Sequence, residues 1–180
     1  GSDAERAVAR ATFEGVALAA GEAAVLALEP NLDPGRDVVL DELRRAAAAH
    51  GWLVRQHLPR DVFVGLLKRL RAGRGVLVGN SSAGLIECAA LGVPVVNVGP
   101  RQAGRERAGN VTDVLQGGAS GPGAEAAAAE VAQAVQAAQG APPPVPDARF
   151  GAGDAGARIA AVLASDDPHA PGRLRKRCAY

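Results

Sequence analysis

The sequence predicts an α/β domain built on a parallel sheet with helices on both faces. Two observations carry this. Short apolar segments bounded by Gly and Pro alternate with longer segments of helical periodicity, and the apolar segments lack polar/apolar alternation. Strands of that kind are covered on both faces, which is the habit of parallel sheets.

Residues 4–20 form the first helix, with Ala7, Val8, Ala11 and the stretch 15–18 on one side. "AAVLALEPN" reads as a strand ended by Pro30, and residues 33–51 as a helix stopped by Gly51. "WLVRQHLP" is a strand ending at Pro59. Residues 60–73 are helical, with Val62, Leu66 and Leu70 on one face. "GVLVG" is a buried strand, residues 82–91 a helix, and "VPVVNVG" a second buried strand. A loop over residues 100–109 precedes the short strand "NVTDVL". "AEAAAAEVAQAVQAA" is a helix of high alanine propensity, which "APPPVP" cannot continue. Residues 153–165 make the last helix. The expectation is one domain over residues 3–165, followed by a disordered tail at 166–180.

Composition bounds the function. The chain has 180 residues, 48% hydrophobic and 22% charged, with a net charge of +1. That balance gives no electrostatic case for nucleic acid or an anionic membrane, and no run is long enough to span a bilayer. Cys88 and Cys178 show no metal-ligand spacing and read as free thiols of a reducing, cytoplasmic compartment.

The polar cluster Asn80, Ser81, Ser82 interrupts an apolar stretch at a strand end, where open α/β sheets bind ligands. A helix starting at Ser82 would offer unpaired N–H groups to a phosphate, Ser81 and Ser82 would add hydroxyls, and Gly79 and Gly84 would keep the approach clear. Glu87 could accept from the two hydroxyls of a ribose. The same residues also fit a plain N-cap and a solvated helix carboxylate. Neither G-x-G-x-x-G nor G-x-x-x-x-G-K-[ST] occurs.

"VGNSSAGLIECAALGVPVVNVGPRQAGRERAGNV" (residues 78–111) resembles the nucleotide-binding segment of the hydrolysing UDP-N-acetylglucosamine 2-epimerases, whose pattern runs G-N-S-S-x-G…E…G-x-P-V-[IV]-N-[IL]-G-x-R-Q-x-G-R-E. "LEPNLDPGRD", "QHLPRDVF" and "ARFGAGDAGARIAAVL" resemble its flanking segments. The resemblance implies a Rossmann-like domain, the C-terminal half of a GT-B-like two-domain enzyme of sialic-acid biosynthesis. That enzyme eliminates UDP from UDP-N-acetylglucosamine and adds water, giving N-acetylmannosamine. Ser81 and Ser82 would then bind the diphosphate, Glu87 the ribose, and Arg101 the phosphates. His57 and Leu58 would border the uracil, with Asn31 and Asn80 lining the cleft. Arg105 and Glu106 match the same loop or pair with each other.

The resemblance implies neither cofactor nor metal, and it places no catalytic residue here, because the family's proton-transferring carboxylates lie in the first domain. The match begins at the helix after the second domain's opening strand. In a 3-2-1-4-5-6 sheet that strand is central. Arg36 also stands where the family often has a small residue. The expected partners are therefore UDP or UDP-N-acetylglucosamine, a first domain or partner chain, and a homo-oligomer is allowed. Two other readings fit: a non-catalytic nucleotide-sugar-binding module, and half of a GT-B glycosyltransferase, against which "GxRQxGRE" speaks.

Overall fold

The structure is a computed structural model that describes residues 2–119 and 123–167. The chain divides into two compact units, residues 1–147 and 148–180. Cys178 and most of the expected tail lie outside the described residues.

The first unit alternates helix and strand: α1 (Asp3–Ala20), β1 (Leu26–Leu28), α2 (Arg36–His50), β2 (Leu53–Arg55), α3 (Arg60–Ala72), β3 (Leu77–Gly79), α4 (Ser82–Leu85), α5 (Glu87–Leu91), β4 (Val95–Val98), β5 (Val111–Val114) and α6 (Ala124–Gly140). A single 3-10 turn, Pro100–Gln102, follows β4. The second unit contains α7 (Ala155–Ser165), none of whose residues is buried.

All strand pairing is parallel, and the α/β class stands as expected. The strands do not form one sheet. β1 pairs with β2, with Leu26 opposite Leu53. β3, β4 and β5 form a separate sheet in that order, with Leu77 opposite Val95 and Val95 opposite Val111. In a 3-2-1-4-5-6 order the strand that would lie between these two groups is the central one. Accordingly β3 is only half-buried, whereas β4 is buried throughout.

Alternation along β4 builds two cores. Val96 and Val98 pack with Ala11 of α1 and Ala127, Val131 and Val135 of α6. Val95 packs on the other face with Leu67 of α3 and Cys88 of α5. The three-stranded sheet thus has helices on both faces.

Two local devices fix α1. Ser2 and Glu5 form a capping box, in which the Glu5 N–H donates to Ser2 Oγ at 3.2 Å and the Ser2 N–H to Glu5 Oε2 at 2.6 Å. Further along, Gly15 lets α1 lie against α6: a Cβ there would sit 2.5 Å from the Ala128 carbonyl oxygen and 2.6 Å from Val131 Cβ. α1 is also clamped to α2. Glu42, 3% exposed, accepts from Arg6, Arg10 and Arg45 at 3.0–3.2 Å. The Arg10 hydrogen bond leads the forces on this carboxyl, and with Arg45 and Arg6 it outweighs the cost of burial and pulls the pKa from 4.5 to about 2.

Two predictions follow from these contacts. Gly15→Ala should destabilise the protein by about 1–2 kcal/mol, because overpacking against α6 outweighs the helix propensity gained. A urea midpoint measures it. Glu42→Gln should cost about 2 kcal/mol at neutral pH. The folded-state pKa is depressed, so this contribution is present above 4.5 and is lost as pH falls toward 2. The stability gap between wild type and Glu42→Gln should narrow across that window.

Candidate functional site

Most of the expected site residues follow the carboxyl end of a strand, and Ser82 and Glu87 open the helices α4 and α5 beyond β3. Asn31 follows β1, His57 and Leu58 follow β2, Asn80 and Ser81 follow β3, and Arg101 follows β4. Two ion pairs bring these ends together across the divided sheet. Arg101 Nη2 lies 2.7 Å from Asp33 Oδ2, joining the loop after β4 to the loop after β1. Arg60 Nη1 lies 3.5 Å from Glu87 Oε1, joining the segment that carries His57 and Leu58 to the start of α5.

The β1 loop is shaped by the unexpected Arg36. Its Nε donates to the Pro30 carbonyl at 3.3 Å and its Nη2 to Glu29 at 3.1 Å, which fixes the turn carrying Asn31 and Asp33. Asn31 and His57 are exposed and Leu58 is half-buried.

The turn after β3 differs from expectation. The helix expected over residues 82–91 is broken at Ile86 into α4, of four residues, and α5, of five. A four-residue helix sums few peptide dipoles, so an anion here depends on hydroxyls, local N–H groups and cations. Ser81 is the N-cap: its Oγ accepts from the Ala83 N–H at 3.3 Å. Its own O–H stays free to donate. Ser82 Oγ has no hydrogen bond among the described residues. Gly79 has φ +150 with open space where a Cβ would be. Gly84 serves packing instead of approach, since a Cβ there would meet Val95 Cγ1 at 2.9 Å.

Sequence reasoning missed a polar network behind Arg101. Asn97, fully buried in β4, donates to Asp113 Oδ1 at 2.6 Å. Arg107 forks onto Asp113 at 3.1 and 3.3 Å. Burial would raise the Asp113 pKa, but Arg107 and Asn97 outweigh it and hold the carboxyl below its usual value. The same Arg107 donates to the Gln102 and Arg105 carbonyls at 2.9 and 2.7 Å. Gln102 Nε2 donates to the Asn80 carbonyl at 2.7 Å. A lone Asn within "VPVVNVG" was the available signal. The Arg105 guanidinium, by contrast, is exposed and has no ion pair among the described residues.

A family model for UDP-N-acetylglucosamine 2-epimerase matches residues 3–164. This chain belongs to that family. It is also similar to a UDP-N,N'-diacetylbacillosamine 2-epimerase (hydrolyzing) of Legionella pneumophila, 39% identical over 90 residues. That alignment covers 50% of this chain and 23% of the relative, so the chain matches less than a quarter of that protein's length.

Among the described residues, no group of three or more His, Cys, Asp or Glu side chains could hold a metal ion, and no helix is long and apolar enough to cross a membrane. Cys88 is buried behind Glu87, and burial first, then the neighbouring charge, pushes its thiol up to about 12. In a Cys178→Ser background, a thiol reagent at pH 8 should label nothing in the folded protein and one thiol in urea.

Proposed function

We propose that this chain is the UDP-binding half of a hydrolysing UDP-N-acetylglucosamine 2-epimerase. The observation that carries the reading is that the Ser81 turn and the Arg101 loop leave the carboxyl ends of the paired strands β3 and β4 and are joined by the Gln102–Asn80 hydrogen bond, with Glu87 on the helix after that turn, in a chain whose family match runs across residues 3–164.

In this reading Ser81 and Ser82 donate to the diphosphate, and Arg101 leaves Asp33 to fork onto it. Glu87 accepts from the ribose hydroxyls. His57, Leu58 and Asn31 border the base and the cleft, with Asn80 behind the phosphates. UDP is both handle and leaving group: it departs by elimination across C1 and C2 of the sugar, and water then adds to give N-acetylmannosamine. Negative charge grows on the departing diphosphate, so Arg101 and the serine hydroxyls act more strongly in the transition state than in the ground state. The carboxylates that move protons at the sugar ring come from a first domain outside this chain.

The setting is a cytoplasmic enzyme of N-acetylmannosamine and sialic-acid supply. A non-catalytic nucleotide-sugar module differs in one outcome, because adding the first domain would then restore no turnover.

Calorimetry should show that the chain binds UDP, while a product assay shows no N-acetylmannosamine until the first domain is added. Glu87→Gln should weaken UDP by about 1.5–3 kcal/mol while leaving pyrophosphate unchanged, because the carboxylate faces only the ribose. Arg101→Lys should weaken UDP but not uridine, since an ammonium cannot copy the two-pronged contact. Absence of UDP binding, or equal losses for UDP and pyrophosphate in Glu87→Gln, would overturn these assignments.

A further inference from the structure

The loop after β4 sets out its side chains unevenly. Pro100, Arg101 and Ala103 are exposed, but Gln102 between them is only 4% exposed. An amide is an expensive group to bury there. Its Oε1 is buried with no partner among the described residues, a cost that an apolar side chain of the same size would avoid. What the amide supplies is one N–H, and Nε2 donates it to the Asn80 carbonyl at 2.7 Å.

The two ends of that hydrogen bond are informative. Gln102 follows Arg101, and Asn80 precedes Ser81. One bond between residues 22 apart therefore sets the spacing between a guanidinium and a hydroxyl turn that belong to different strand ends. The loop side of the bond is itself braced. Arg107 holds the Gln102 carbonyl at 2.9 Å, Asp113 holds Arg107, and Asn97 holds Asp113 from inside the fully buried strand β4. The brace runs from the core to the turn and ends on Asn80.

We infer that Gln102 is a positioning residue: it presets the distance between the loop that carries Arg101 and the Ser81 turn, so that both reach one diphosphate once the Arg101 side chain turns from Asp33, with no movement of the loop. This rests on the proposed UDP site. Groups held in their binding geometry before the ligand arrives lose less freedom on binding, and misplacing them costs affinity although every contacting group remains. Gln102 itself touches no ligand. Its effect is confined to the phosphate end, because the residues assigned to the base and the ribose lie on other segments.

The test uses the full chain, with UDP and uridine as ligands. Gln102→Leu keeps the bulk and removes the N–H. Gln102→Asn keeps the amide but is one methylene too short, and it serves if the leucine variant does not fold. Either should weaken UDP roughly three- to tenfold, the span of one neutral hydrogen bond, and leave uridine binding unchanged. In an Arg101→Lys background the same substitution should cost clearly less, because the two residues act as a unit.

Three outcomes overturn the inference while leaving the UDP site standing: unchanged UDP affinity although Arg101→Lys weakens it, equal weakening of UDP and uridine, or full additivity with Arg101→Lys. A wild-type chain that binds no UDP overturns both.

Discussion

β4 is paired on both edges and covered on both faces, and this total enclosure governs the rest of the first unit. Val96 and Val98 must find an apolar partner on one side and Val95 on the other. α1 and α6 answer the first demand, α3 and α5 the second. Asn97 is the exception in this strand. An amide with no access to water needs a partner inside the protein, and the neighbouring strand supplies Asp113. Asp113 in turn needs a cation, and Arg107 reaches it from the loop. Enclosing one polar residue therefore propagates outward and ends by stiffening the loop that carries Arg101.

The site gains from this arrangement because its groups come from different strand ends. Short strands spread the carboxyl-edge loops, and only long side chains span the intervals. Arg101 to Asp33, Arg60 to Glu87 and Gln102 to Asn80 are such spans. Two are exposed ion pairs, which contribute little to stability in water. Their low cost of opening suits a place where a charged ligand would replace one partner. The buried amide is the rigid member of the set and the ion pairs are the exchangeable ones.

Much of the fold was legible because its signals are local. Gly51 ends α2 in the left-handed region at φ 68, with its N–H on the Ala47 carbonyl, as a glycine after a helical run implies. The strand positions followed from apolar runs bounded by Gly and Pro. The placement of Ser81 and Arg101 after strands was legible for the same reason. The break at Ile86 was not, since Gly84 and the β-branched Ile86 weaken a helix without marking where it stops. The division of the sheet left no mark in the periodicity; only the resemblance, through the central strand of a 3-2-1-4-5-6 order, pointed to it. The Gln102 brace joins residues 22 apart through an amide, and such bonds leave no repeat to read.

The divided sheet also bears on how the chain reaches its folded form. Every strand pairing joins neighbours in the sequence: β1 with β2, β3 with β4, and β4 with β5. Each ladder closes over a single helical crossover, as parallel pairing requires, and none reaches across the whole first unit. The long closure is left to helices, when α6 comes back onto α1 across more than a hundred residues. Gly15 lies at that seam, where a single added methyl would meet the facing backbone. A residue with no side chain thus sits where the first and last helices of the first unit must meet.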